Sequence, residues 1–123
     1  MSKLKLSEKS LKKLEGVNPD LVKVVKRAIE LTEIDFTVGE GLRTKERQEQ
    51  LFKEGKSKTL NSKHLTGNAV DLWAFKDGKI TWEKKYYDDL SVFVKQAAKE
   101  LGIGIKWGGD FVGFYDGPHY QLA

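Results

Sequence analysis

The 123-residue chain is 39% hydrophobic and 33% charged, the size and composition of one folded domain spanning 1–123, and this excludes a disordered chain. With no cysteine, disulfides are excluded and any metal site must be built from nitrogen and oxygen ligands. A net charge of +4 is mild for a nucleic-acid binder, no apolar run nears the roughly 18–20 residues that cross a membrane, and Met1-Ser2-Lys3 lacks the apolar stretch of an export signal.

In chain order, Leu11 and Leu14 predict a short helix over Ser7–Glu15 that stops at Gly16. Asn18-Pro19 is an N-cap followed by proline at the first helical position. The stripe Leu21, Val24, Val25, Ala28 and Leu31 then predicts a core-packed helix from Pro19 to about Leu31. Ile34, Phe36 and Val38 alternate with polar residues as a strand ending at Gly39 and Gly41. Thr44 caps a third helix that runs to Phe52 or Lys53 and is closed by Gly55. After a polar loop from Lys56 to Thr66 comes an apolar strand, Ala69 to Phe75, with Asp71 inside it. Asp77-Gly78 turns into a short strand around Ile80 and Trp82. Leu90, Phe93, Val94, Ala97, Ala98 and Leu101 mark a further helix ending before Gly102, and six glycines then separate short strand-like pieces. Helices first, then mostly strands with one interposed helix, give an α+β fold: a small antiparallel sheet with flanking helices.

Two histidines carry the chemistry. His64 sits in Ser62-Lys63-His64-Leu65-Thr66-Gly67-Asn68-Ala69-Val70-Asp71, and His119 in Asp116-Gly117-Pro118-His119-Tyr120. A lone histidine is more often structural than a ligand, but Asp71 changes the reading. An ionised carboxylate in an apolar segment is costly to bury unless it is paired or binds a metal. Two histidines and a carboxylate also match a three-ligand hydrolytic zinc site with one position left for water. Such a site needs a base, and Asp116 lies one tight turn before His119. It also needs a cation for the oxyanion, and Arg43 lies between a strand and a capped helix. Taken alone, Asp116 also reads as a turn-former beside Gly-Pro, and Arg43 as an exposed arginine at a helix start. From Gly41 to Lys63 there are seven basic residues, Arg43, Lys45, Arg47, Lys53, Lys56, Lys58 and Lys63, against three acidic ones. This stretch reads as a solvated helix face and a lysine-rich loop, or as a surface that concentrates an anionic polymer.

Ser62-x-His64-x-x-Gly67-x-Ala69-x-Asp71 followed by Asp116-x-x-His119 resembles the two motifs of the D-alanyl-D-alanine carboxypeptidase type of zinc peptidases. That superfamily includes the vancomycin-resistance dipeptidases and shares its fold with the hedgehog signalling domain. The nearest resemblance is to phage endolysins acting as L-alanyl-D-glutamate endopeptidases. Gly41-Leu42-Arg43-Thr44 with Gln48 and Leu51-Phe52 resembles their segment bearing the substrate-binding arginine, and Trp107-Gly108-Gly109-Asp110-Phe111 resembles their Trp-Gly-Gly-Asp-aromatic stretch. Four motifs in order, over about Val38 to Tyr120, carry the resemblance.

The resemblance implies that His64, Asp71 and His119 bind Zn²⁺, that Asp116 is the general base where many relatives carry Glu, and that Arg43 meets the substrate carbonyl. It further suggests Ser62 near the substrate, while Asp110 is a candidate to orient a ligand histidine. Trp73, Trp82 and Trp107 are expected in the core or the cleft wall. The implied activity is hydrolysis of a peptide bond in the peptidoglycan stem peptide, the L-Ala–D-Glu bond, by a monomeric endolysin without stable membrane association. The enzyme would stay in the host cytoplasm until a separate membrane-permeabilising protein gives access to the wall. The alternatives are a D-Ala-D-Ala carboxypeptidase or dipeptidase, with the same ligands and base, and a zinc-dependent wall-binding module without catalysis.

Overall fold

The fold was read from a computed structural model that describes residues 4–56 and 62–123. Its elements follow the capping and periodicity signals closely. Helix α1 (Glu8–Lys13) is capped by Ser7, whose hydroxyl accepts from the Ser10 amide. Helix α2 (Pro19–Leu31) starts at the Asn18 cap with Pro19 in its first turn, and Thr44 caps α3 (Lys45–Lys53) by accepting from the Arg47 amide. Each cap supplies an acceptor to an amide that has no partner within the helix. Strand β1 spans Phe36–Glu40 and β2 spans Ala69–Lys76. A tight turn with positive φ at Asp77 and Gly78 leads into β3 (Lys79–Ile80). Trp82 lies outside that strand, which is shorter than its sequence suggests. Helix α4 (Lys84–Leu101) begins earlier than its apolar stripe and ends at Gly102, whose left-handed conformation closes it. Strands β4 (Ile105–Trp107) and β5 (His119–Leu122) complete the sheet.

The sheet is antiparallel in the order β1-β2-β5-β4, with β3 paired to β2. Val70, Leu72 and Ala74 of β2 are fully buried. They face a core built with Leu21, Val24, Val25 and Ala28 of α2 and Leu90, Val94, Ala97 and Ala98 of α4. Strand side chains alternate between faces, so Asp71, Trp73 and Phe75, all half-buried, fall on the opposite face, and that face is where the site is built. Two further segments departed from their sequence reading. Leu11 of α1 is exposed, and α1 instead buries Ser10, whose hydroxyl meets the Thr37 hydroxyl at 2.8 Å and accepts from the Val38 amide at 2.9 Å. The polar loop after α3 contains a 3₁₀ turn, Lys63–Thr66; residues 57–61 of that loop, with Lys58, lie outside the described residues. No described helix is long and apolar enough to cross a membrane.

Candidate active site

Strand register brings the two histidine segments together. Asp71 of β2 pairs with His119 of β5 and, on its other side, with Glu40 of β1 across an irregularity in the ladder. His64 arrives from the 3₁₀ turn immediately before β2. Ser62 caps that turn, its hydroxyl accepting from the His64 amide at 3.2 Å, and Gly67 ends it at φ +76°. A Cβ at Gly67 would lie 2.4 Å from the Gly16 carbonyl oxygen, so glycine alone allows both the left-handed turn and the close approach.

The hydrogen bonds of the two imidazoles aim their free nitrogens at one point. His64 Nδ1–H donates to the Gly41 carbonyl at 2.9 Å, which leaves Nε2 as an acceptor. His119 Nε2–H donates to Gln121 Oε1 at 2.8 Å, which leaves Nδ1 as an acceptor. Asp71 Oδ1 lies 3.4 Å from each of these nitrogens. Among the described residues, His64 Nε2 and Asp71 Oδ1 are buried without any hydrogen-bond partner. Three acceptors facing one another is an arrangement that suits a bound cation. The three ligand atoms all lie within 4.8 Å of one another, so one ion can reach all of them.

Burial pushes the Asp71 carboxyl upward, but the two imidazoles more than reverse this and hold it well below the usual carboxylate range. Burial lowers His119, while Asp71 and Gln121 more than offset that and raise it. Without a cation, the site therefore favours a proton on His119 beside the Asp71 anion.

Asp116 lines the same cleft, of about 740 Å³, but stands outside the three-atom donor set. Its carboxyl is raised, first by burial and then by the charge of Asp71, with His119, His64 and Arg43 opposing. Its position is set by the Trp107-Gly108-Gly109 segment. The Asp116 amide donates to the Gly108 carbonyl at 3.0 Å, and the Trp107 indole N–H donates to the Gly117 carbonyl at 2.7 Å. A Cβ on Gly108 would meet the Asp116 carbonyl oxygen at 2.1 Å, so the two segments can lie this close only with glycine there. Trp107→Phe would leave the Gly117 carbonyl without its indole donor, at a cost of about 1–3 kcal/mol. The expected result is a lower melting temperature and a kcat reduced by up to about 100-fold through a displaced Asp116, with bound metal unchanged. Metal analysis and steady-state kinetics on one preparation check this.

Arg43 is almost fully buried at the cleft wall. Its guanidinium donates to both Glu40 carboxylate oxygens, at 3.3 and 2.7 Å, and to Gln48 Oε1 at 2.7 Å, with Nη2 at 3.7 Å from Asp71 Oδ2. It is therefore held rigidly beside the second oxygen of Asp71, and the reading of Arg43 as an exposed helix-start arginine does not hold. Asp110 does not orient either histidine: its exposed carboxylate pairs with Lys95 at 2.7 Å. The orienting contacts belong instead to the Gly41 carbonyl and Gln121. Gln121 was legible in principle, because residues two apart on a strand share a face. Glu40 and the Gly41 carbonyl carry no comparable sequence signal. Of the three tryptophans, Trp107 is buried in the core, Trp73 is half-buried and Trp82 is exposed.

A metal-competent donor set facing an open cleft, with a half-buried carboxylate beside it, is the arrangement of a hydrolytic metal site. The chain belongs to the phage L-alanyl-D-glutamate peptidase family, whose model matches residues 1–123. It is 37% identical to the L-alanyl-D-glutamate peptidase of Escherichia phage T5, covering 97% of this chain and 98% of that protein. It is 38% identical to the L-alanyl-D-glutamate peptidase of Listeria phage A118 over 72% of this chain, but spans only 31% of that longer protein. Among solved structures, the Serratia marcescens L-Ala D-Glu endopeptidase ChiX superposes with a TM-score of 0.92 at 43% identity, covering 98% of this chain and 92% of that one. The α+β fold expected from the sequence is the fold of that endopeptidase.

Proposed function

We propose that this chain is a zinc-dependent endopeptidase that hydrolyses the L-Ala–D-Glu bond of the peptidoglycan stem peptide, acting as a phage endolysin in host cell lysis. The observation that carries the metal reading is the convergence of His64, Asp71 and His119 on one point, with His64 Nε2 and Asp71 Oδ1 buried and unpartnered among the described residues. Nitrogen and carboxylate donors in this ratio suit zinc, which when bound acts as a Lewis acid and lowers the pKa of a water ligand to about 7. His64, Asp71 and His119 would hold the ion, oriented by Gly41, Arg43 and Gln121.

Asp116 then takes the proton of the attacking water and delivers it to the departing amide nitrogen. Its half-buried carboxyl lines the cleft beside the donor set, where it can take and return a proton. Arg43, fixed by Glu40 and Gln48, presents positive charge where the carbonyl oxygen becomes an anion. Ser62 lines the cleft near the substrate while capping the turn that holds His64. Lys45, Arg47 and Lys53 are exposed on α3 and would draw the anionic wall toward the cleft. Before release the enzyme would remain in the host cytoplasm, without stable membrane association.

Mass spectrometry of fragments released from purified peptidoglycan tests the bond. New amino-terminal D-Glu is the expected result. Release of free D-Ala would mark a carboxypeptidase instead, and an undigested wall would mark a binding module.

A further inference from the structure

The loop that carries Asp116 runs from Phe111 to Pro118, between the 3₁₀ turn Gly108–Asp110 and β5, outside the strand ladder. Its backbone is tied near both ends. The Phe111 and Asp116 amides donate to the Gly108 carbonyl, and the Pro118 carbonyl accepts from the Leu72 amide. Between these points one face of α4 takes hold of the segment through side chains. Lys84, Asp88 and Lys95 are spaced i, i+4 and i+11, so they share that face. Lys95 Nζ pairs with Asp110 at 2.7 Å and lies 5.0 Å from the centre of the Trp107 ring. Tyr115, which lines the cleft, makes the other contact. Its hydroxyl donates to Asp88 Oδ1 at 2.9 Å. Lys84 Nζ, paired with Asp88 Oδ2 at 2.8 Å, lies 4.9 Å from the centre of the Tyr115 ring, and Trp107 meets that ring edge-on at 6.0 Å. The phenol packs against Gly117, where a Cβ would fall 2.7 Å from the hydroxyl oxygen.

We propose that Tyr115, clamped by Asp88 and Lys84, is a positioning residue that fixes Asp116 for proton transfer. This rests on the reading of Asp116 as the general base. Asp116 lies between two anchors on different elements: Tyr115 before it is tied to α4, and Gly117 after it accepts from the Trp107 indole at 2.7 Å. The single bond from the Asp116 amide to Gly108 holds one backbone atom and does not by itself set where the carboxylate points; fixed points on both neighbours do. The Tyr115 bond joins a hydroxyl to a carboxylate, the stronger charge-assisted kind, whereas the exposed Lys95–Asp110 pair adds little, so Tyr115 is the effective anchor. A base must stand within hydrogen-bond reach of the proton it takes, and a shift of about 1 Å can cost up to about 100-fold.

In the zinc-loaded full chain, Tyr115→Phe is expected to lower kcat about tenfold on a soluble stem peptide, with KM and bound zinc unchanged. Phenylalanine keeps the ring in the cleft wall, so a loss confined to kcat reports the hydroxyl and not a missing substrate contact. Asp88→Ala should reproduce the loss, and Asp88→Asn, whose amide oxygen still accepts, should recover most of it. Combining Tyr115→Phe with Asp88→Ala should be no worse than either alone. Amide exchange at Asp116 should quicken in Tyr115→Phe while α4 and β2 stay protected. In Asp116→Asn protein, adding Tyr115→Phe should leave the residual rate nearly unchanged. Wild-type kcat in Tyr115→Phe, or the same tenfold loss in the Asp116→Asn background, overturns the clamp and leaves the peptidase reading intact. Full turnover by Asp116→Asn would instead remove the base reading, and the clamp with it.

Discussion

His64→Ala, Asp71→Ala and His119→Ala are each expected to reduce bound zinc from about one ion per chain to a small fraction of that, and wall hydrolysis to background. The reason lies in the donor count. Among the described residues each ligand is one of three, and two alone make a much weaker site. Gln121→Leu should act more mildly. It removes the acceptor that keeps the His119 proton on Nε2 and so frees the ring to take the wrong tautomer, for about a 10–100-fold loss in metal affinity. Acidification should release the ion as well, because the site raises the proton affinity of His119 and a proton there competes directly with the metal. Elemental analysis of the purified variants, with hydrolysis assayed on the same samples, checks the series. Wild-type zinc content in all three alanine variants would remove the assignment.

Asp116→Asn is expected to keep its zinc and to lose about 10²–10⁴ in turnover, the worth of a general base. The substitution is nearly isosteric, and Asp116 stands outside the donor set. A second consequence separates this reading from a structural one. Burial, and then the charge of Asp71, raises the Asp116 carboxyl above its ordinary value, so the folded metal-free chain holds that proton more tightly than the unfolded chain. The stabilisation from protonated Asp116 is complete below the unfolded pKa, near 4, and is lost as pH rises through the folded value. In chelator at neutral pH, the metal-free Asn variant should therefore melt higher than the metal-free wild type, and the gap should close as pH falls below about 4. A variant with wild-type turnover would mean that the base lies elsewhere.

How much of this was legible in the sequence depends on where the determinants act. Helix boundaries were legible because caps and stops are local: Ser7, Asn18-Pro19, Thr44 and Gly102 act on amides or carbonyls within a turn of themselves. The donor set was legible because a carboxylate inside a buried strand requires a partner, and the chain holds only two histidines to offer. The surroundings of the set were not, because they depend on tertiary register. Glu40 stands beside Asp71 only because β1 pairs with β2, and the Gly41 carbonyl meets His64 across 23 residues of chain. Asp110 looked suitable by type and failed by position, since the 3₁₀ turn Gly108–Asp110 points its side chain toward Lys95.

The proposed chemistry requires one ion held by His64 Nε2, Asp71 Oδ1 and His119 Nδ1. Anomalous scattering at the zinc edge from crystals of the zinc-loaded protein tests it most directly. The expected result is one peak about 2.0–2.2 Å from each of those three atoms, with His119 Nε2 still donating to Gln121. A peak bound through His119 Nε2, or none among the three side chains, would contradict it.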